Sequence, residues 1–198
     1  MKIGVLALQG AFIEHEKMLQ RLGVEAVEVR LPKDLEGCAG VIIPGGESTT
    51  IGKLAVQYNL IEPLREMAQA GMPLWGTCAG MIFMAKAVER EGRDQPLLGL
   101  MDVTVERNAF GRQVDSFEAN ISIKGVDGDK PFHAIFIRAP LIEAVGDGVD
   151  VLARVEKDDR EVIVAAQQGN LLATSFHPEL SNDDRFHRYF VKMAEGKA

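Results

Sequence analysis

IGVLALQGAFIEHEKMLQRLGVEAVEV, residues 3–29, reads as strand, helix and strand in turn. Ile3 to Leu8 is a short apolar run. From Ala11 to Leu22 the period lengthens: Phe12, His15, Glu16, Leu19 and Leu22 fall near one face, Glu14, Lys17 and Arg21 can point outward, and Gly23 supplies a stop. Ala26 to Val29 is apolar again, and so is Val41 to Ile43. Short β-rich runs alternating with helical patterns predict βαβ units and a mostly parallel sheet, with the first helix packed on it.

Further along, Val41-Ile42-Ile43 runs into Pro44-Gly45-Gly46-Glu47-Ser48-Thr49-Thr50, where paired glycines free the backbone and Ser48 or Thr49 can cap a following helix. A helical stretch starts near Ile61 with Pro63 early in it and closes at Gly71, before the apolar Leu74-Trp75. Another helical run is predicted from Met81 to Val88, then a charged loop from Glu89 to Asp94. Leu98 to Thr174 is rich in Val, Ile and Phe, with turn signals at Gly125-Val126-Asp127-Gly128 and Gly146-Asp147-Gly148, and predicts further strands, some antiparallel. A last helix is expected from Asp183 to Met193.

The 198 residues, 46% of them hydrophobic, suffice for one substantial core, so a single domain over residues 1–198 is expected. Lys and Arg number 22 against 29 Asp and Glu, a formal charge of -7 with no cationic block, which argues against a nucleic-acid partner. The opening apolar run is broken at Gln9, too short for a signal segment or a membrane span, and a cytoplasmic location is expected. Two cysteines, Cys38 and Cys78, make no disulfide framework and suit a reducing compartment.

Gly76-Thr77-Cys78-Ala79-Gly80 has the spacing of a nucleophile elbow, a tight strand-to-helix turn whose small flanking residues let the nucleophile project above the sheet. A helix N-terminus behind the thiol favours thiolate. Taken alone, the pentapeptide suits a buried, inert cysteine equally well. Cys38, in Leu35-Glu36-Gly37-Cys38-Ala39-Gly40, has neither an elbow nor a basic neighbour and reads as packing. Of four histidines, His15 and His187 fall on predicted helices and His133 in a short apolar run, ordinary positions for surface or core rings. His177 differs, because Pro178 biases it toward extended backbone and Glu179 follows at i+2, on the same side of an extended segment. Glu179 could then orient His177 as base for Cys78. By itself His-Pro-Glu reads as readily as a turn. In Pro44-Gly45-Gly46-Glu47-Ser48 the glycines could aim N–H groups at an oxyanion, although Gly-Gly before a helix is more often a plain turn. No zinc-ligand spacing is present, and neither a metal nor another cofactor is expected.

With these residues in hand, the chain resembles the class I, triad-type glutamine amidotransferases, in which a Gly-x-Cys-x-Gly elbow precedes a distant His-Pro-Glu. Seven ordered blocks carry the likeness further, to the family of glutaminase subunits that serve pyridoxal phosphate synthases: Leu8-Gln9-Gly10, Glu14-His15, Pro44 to Thr50, Gly76 to Gly80, Asn108-Ala109-Phe110-Gly111-Arg112-Gln113, Phe136-Ile137-Arg138-Ala139-Pro140 and Ser175 to Glu179. The resemblance implies an open, flavodoxin-like three-layer α/β/α fold and a catalytic triad of Cys78, His177 and Glu179. It also implies L-glutamine as substrate, touched by Gly46, Glu47, Ser48, Arg107, Ile137 and Arg138, and, as partner, a (β/α)8-barrel synthase subunit. Gly46 and Ala79 are the candidate oxyanion donors, and rotation of the Gly45–Gly46 peptide could leave the isolated chain idle. The alternatives are a glutaminase serving another synthase, such as that for imidazole glycerol phosphate, a triad hydrolase of γ-glutamyl or peptide bonds, or a redox-sensing α/β module without turnover.

Overall fold

The computed structural model describes residues 1–89, 95–107, 116–126, 130–157 and 159–196. Strand β1 (Lys2–Leu6) leads into helix α1 (Phe12–Arg21) and back to strand β2 (Glu25–Val29), beside β1 and parallel to it. Strand β3 (Gly40–Ile43) lies on the other side of β1, followed by helices α2 (Ser48–Gln57) and α3 (Ile61–Gln69) and strand β4 (Leu74–Thr77). Helix α4 (Ala79–Met84) leads to β5 (Ala85–Glu89) and β6 (Met101–Glu106), β7 (Ser116–Ile121) and β8 (Phe132–Ile137) form a hairpin, and β9 (Leu141–Val145), β10 (Asp150–Lys157), β11 (Arg160–Gln168), β12 (Leu171–Thr174) and α5 (Arg185–Ala194) complete the chain.

Among the described residues the main sheet has ten strands in the order β2-β1-β3-β4-β12-β11-β9-β6-β5, with β10 paired to β11. The half from β2 to β12 is wholly parallel. From β12 onward the pairings through β11, β9 and β6 are antiparallel, and β5 and β6 are again parallel. The expected mixed α/β sheet is thus the sheet observed.

Alternation along the strands makes two cores, one on each face. Ile3, Val5, Ile42 and Trp75 meet Leu19 of α1 and Phe186 and Phe190 of α5 on one face, where Ile121, Phe132 and Phe136 of the β7–β8 hairpin join them. Leu6, Val41, Ile43 and Leu74 meet Ile51 and Ala55 of α2, Leu64 and Ala68 of α3 and Phe83 of α4 on the other. Three layers result.

Three local expectations need correction. The run from Met81 to Val88 is not one helix: it ends at Met84, and Ala85–Glu89 pairs with β6, Ala85 opposite Met101. Cross-strand pairing with β6 outweighs the local helical period there. Neither Ser48 nor Thr49 caps α2; Glu47 does, its carboxylate accepting from the N–H groups of Thr49 and Thr50 at 3.0 and 2.7 Å. On α1 the buried residues are His15, Met18 and Leu19, so Met18 replaces Glu16 on the inner face. Asp127 and Gly128 of one expected turn, Arg90 to Asp94 of the charged loop, and the block Asn108 to Gln113 lie outside the described residues. Among the described residues, no helix is long and apolar enough to cross a membrane.

Candidate active site

Strand β4 ends at Thr77, and the next residue, Cys78, has φ 49° and ψ -106°, a left-handed region that non-glycine residues rarely enter. Such a residue costs on the order of 1–3 kcal/mol in strain and persists only where its surroundings over-determine it. The surroundings here are two glycines. A Cβ on Gly80 would stand 2.0 Å from the carbonyl oxygen of Ile43, and one on Gly76 would stand 2.5 Å from the carbonyl of Gly80. The strand therefore turns into α4 against β3 with no room for a side chain on either flank, which leaves the Cys78 thiol aimed at a cleft and only 7% of the residue exposed.

Parallel pairing of β4 with β12 sets Thr77 opposite Thr174, and the Cys78 N–H donates to the Thr174 carbonyl at 2.8 Å. His177, three residues beyond β12, is thereby carried to the same edge as Cys78. Its own N–H is held by the Ile135 carbonyl at 2.8 Å, and the chain then makes a 3₁₀ turn over Pro178–Leu180. That turn, rather than the extended segment expected from Pro178, brings Glu179 back to His177, with Nδ1 to Oε1 at 2.7 Å. The Glu179 side chain is wholly buried behind the ring, away from the cleft. Burial alone would lower the His177 pKa, but hydrogen bonds with Cys78 and Glu179 and the charges of both raise it to about 10. At neutral pH the ring is an imidazolium set between the Glu179 carboxyl group and the Cys78 sulfur.

The glycine loop closes the cleft. A Cβ on Gly45 would lie 2.4 Å from Cε1 of His177 and 3.3 Å from Cβ of Cys78, so glycine is required here by space. The Gly45 carbonyl accepts from the Ala11 N–H at 3.1 Å, and the Gln9 side-chain carbonyl accepts from the Glu47 N–H at 2.7 Å, so the Gln9–Ala11 turn is tied to this loop at two points. Glu47 faces Arg107 at 3.4 Å. Its partial burial would raise its pKa, yet bonds from the Thr50 hydroxyl and the Thr49 and Thr50 N–H groups hold it down at about 2. Ser48 Oγ and an Arg107 Nη both donate to Oε1 of Gln95, at 3.2 Å each. Across the cleft the Cys78 thiol lies 4.0 Å from the Ile137 carbonyl, and Arg138 follows at φ 44°.

The cleft has a volume of about 520 Å³, in the range of small-molecule sites. Gly46, Glu47, Ser48, Cys78, Ala79, Arg107, Ile137, Arg138 and His177 all line it. Elements from five separate parts of the chain thus converge where a thiol, an imidazolium and two arginines can act on one ligand. Among the described residues, no group of three or more His, Cys, Asp and Glu side chains is arranged to hold a metal ion. His133 stands apart, exposed on β8 beside Glu118 at 2.8 Å.

Sequence reading passed over two residues near this site. His15 and His187, taken as ordinary helix histidines, are both fully buried and touch each other, Nδ1 to Nε2 at 2.9 Å. His15 also reaches Glu179, Nε2 to Oε2 at 3.4 Å. Two signals could have found His15: its polar ring on the inner stripe of an otherwise amphipathic α1, and its place in the Glu14-His15 block.

The SNO glutamine amidotransferase family model matches residues 5–196. The chain is 62% identical over 195 residues to pyridoxal 5′-phosphate synthase subunit PdxT of Herpetosiphon aurantiacus, covering 98% of this chain and 100% of that one. It is 58% identical over 193 residues to the protein of the same name from Moorella thermoacetica, covering 98% and 99%. Among solved structures it is similar to a crystal structure of a glutamine amidotransferase, with a TM-score of 0.89 and 50% identity over 98% of each chain. Likeness in fold alone extends to a chain in the structure of PurLQS from Thermotoga maritima, with a TM-score of 0.68 at 17% identity, covering 96% of this chain and 97% of that one.

Proposed function

The chain belongs to the SNO glutamine amidotransferase family, and on that premise we propose that it hydrolyses L-glutamine to L-glutamate and ammonia through a thioester on Cys78, delivering the ammonia to a pyridoxal 5′-phosphate synthase subunit. The observation that carries the chemistry is the 2.7 Å His177–Glu179 bond directly behind a ring that lines one cleft with a strained Cys78.

Thiolate attack on the side-chain amide carbon of glutamine forms a tetrahedral oxyanion, for which backbone N–H groups of Gly46 and Ala79 are the donors. Ala79 is the first residue of α4, so its N–H needs no intrahelical partner. His177, protonated at neutral pH, gives its proton to the departing nitrogen as the carbon–nitrogen bond breaks. Ammonia leaves, and a γ-glutamyl thioester remains on Cys78. Water then attacks the thioester while His177 takes its proton, the carbon–sulfur bond breaks, glutamate is released and the thiolate is regenerated. Glu179 accepts from Nδ1 throughout, which fixes the tautomer and stabilises the imidazolium. Arg107 and Arg138 present guanidinium groups suited to the α-carboxylate, and the ionised Glu47 suits the α-ammonium.

The partner reading is supported by the names of the full-length relatives, which are synthase subunits. A (β/α)8 barrel is the partner we propose. Free ammonia is lost to protonation in water, so a docked acceptor makes chemical sense. The two bonds from the Gln9–Ala11 turn to the glycine loop offer a lever: a partner seated on this turn and α1 can change the Gly45–Gly46 peptide, and with it one oxyanion donor. Loss of one such donor slows turnover ~100- to 1,000-fold. The test is steady-state ammonia production by pure chain, titrated with the barrel subunit. Activity that rises to saturation over the titration is expected; no ammonia under any condition would sink the glutaminase, and full activity without the barrel would sink the switch.

A further inference from the structure

Glu179 uses Oε1 for His177, while its Oε2 is buried, makes no hydrogen bond, and stands 3.4 Å from Nε2 of His15. His15 Nε2 stands equally 3.4 Å from Thr77 Oγ1 at the end of β4, and its Nδ1 lies 2.9 Å from Nε2 of His187 on α5. Both rings are sealed from solvent and stand edge-on to the indole of Trp75, at centroid distances of 5.6 and 4.9 Å. The far nitrogen of His187, Nδ1, is buried without a partner.

Two neutral tautomers satisfy the His15–His187 bond. If His15 donated from Nδ1, its bare Nε2 lone pair would face the Glu179 carboxylate, and His187 would bury an unpaired N–H. If His187 donates from Nε2, His15 carries its proton on Nε2, directed at the carboxylate, and only a lone pair on His187 is left bare. The second arrangement removes the repulsion and supplies the donor that a buried carboxylate oxygen requires.

We propose that His15, itself oriented by His187, is a positioning residue of this site: its Nε2–H donates to Oε2 of Glu179 and holds the carboxylate plane so that Oε1 stays aimed at His177 Nδ1. The chain of contacts then runs from the cleft inward as Cys78, His177, Glu179, His15 and His187, tying α1, α5 and the turn after β12 into one support. Burial, followed by His187 and His177, keeps the pKa of His15 well below its ordinary value, and burial lowers that of His187 to about 3, so the two rings transmit orientation and carry no charge at neutral pH. Thr77 gives the His15 proton a second acceptor, which allows the ring to follow Glu179 during turnover without losing a partner.

In its activity arm this inference rests on the glutaminase reading; its spectroscopic arm does not. His15→Leu, His15→Gln and His187→Phe are compared with the unaltered chain in two measurements. The first follows the Nδ1–H proton of His177 by NMR in the chain without glutamine, where a short bond to a carboxylate gives a downfield, slowly exchanging signal. The second takes kcat and KM for ammonia release with the synthase subunit present. His15→Leu should speed exchange of that proton ~10-fold or more and lower kcat ~10- to 100-fold with KM changed less than ~3-fold. His15→Gln, whose amide N–H reaches nearly the same point, should restore most of both, and His187→Phe should fall between. A His15→Leu chain with an unchanged His177 signal and kcat within ~2-fold overturns the proposal. So does an equal loss in His15→Leu and His15→Gln, which would make His15 mere packing. Should the unaltered chain release no ammonia, the glutaminase reading fails, and the His177 signal still decides the role of His15.

Discussion

Cys38 stands two residues before β3 and Cys78 one residue after β4, and since these strands run parallel the two thiols occupy opposite edges of the same half-sheet. At the amino edge Cys38 leans on the Asp34 carbonyl, Sγ to O at 3.6 Å, and partial burial pushes its thiol pKa up. The charges that act on it are those of Lys2, Glu25 and Asp34. At the carboxyl edge Cys78 is held in a left-handed conformation, with His177 and the glycine loop around it. The difference follows from how parallel sheets are wired. Each strand leaves the carboxyl edge through a turn into the next element, so turns from neighbouring strands meet there and can surround one point. Here α1 leaves β1 for one face and α2 leaves β3 for the other, which opens a crevice at the carboxyl edge.

The strongest way to break this contrast is to remove each thiol. Cys78→Ala should abolish ammonia release, whereas Cys38→Ser should keep most of it, measured with the synthase subunit present. Equal losses in two folded variants would make the edges equivalent.

Next in size are the two groups that only the carboxyl edge supplies. His177→Ala should cost ~10,000-fold or more in kcat and Glu179→Gln less, with the double variant far from additive. The pH profile sharpens the point. Because the His177 pKa is raised from 6.5 to about 10 in the folded chain, the proton it donates is lost only near pH 10, and activity should fall on that alkaline limb. Glu179→Gln keeps an acceptor for Nδ1–H but removes a charge that favours the imidazolium, so the limb should move to lower pH; an unmoved limb would make the carboxylate a bystander. The same sign governs stability: the contribution of His177 is complete below pH 6.5 and is lost as pH rises through about 10.

A smaller effect is expected at the rim of the cleft. Arg107→Met or Arg138→Met should raise KM for glutamine ~10- to 100-fold with little change in kcat, as loss of a carboxylate clamp used equally in ground and transition states requires. Unchanged kcat/KM in both variants would remove the arginines from the site.

A difference in stability, without any effect on the chemistry being needed, separates the glycines beside each cysteine. Gly80→Ala would drive a methyl to 2.0 Å from the Ile43 carbonyl and should cost ~3 kcal/mol or more in urea unfolding. Gly37→Ala meets only the end of the Lys2 side chain, at 3.3 Å, and bears only the strain of φ +73°, so ~1 kcal/mol is expected. Similar losses at both would remove the steric argument for the elbow.

What the sequence determined by itself was local. Period and turn residues marked β1, α1, β2, β3, α3 and α5 to within a few residues, because amphipathic spacing and glycine or proline stops act over a single element. The elbow, the glycine loop and His-Pro-Glu were legible as motifs for the same reason: each is a short backbone demand met by adjacent residues. The end of α4 at Met84 was not, since pairing of Ala85–Glu89 with β6 depends on residues more than a dozen positions away. Nor was the cap of α2, which Glu47 takes through a carboxylate that also faces Arg107. Above all, nothing local set Cys78 beside His177. That depends on β12 inserting next to β4 with Thr174 opposite Thr77, a long-range pairing whose hydrogen bonds and buried Trp75–Thr174 contact become favourable only when the whole sheet closes. The inward support of Glu179 by His15 and His187 was not legible for the same reason: a ring on the inner stripe of α1 marks a buried polar group, but its partners are met only where α1, α5 and the turn after β12 come together across the folded sheet.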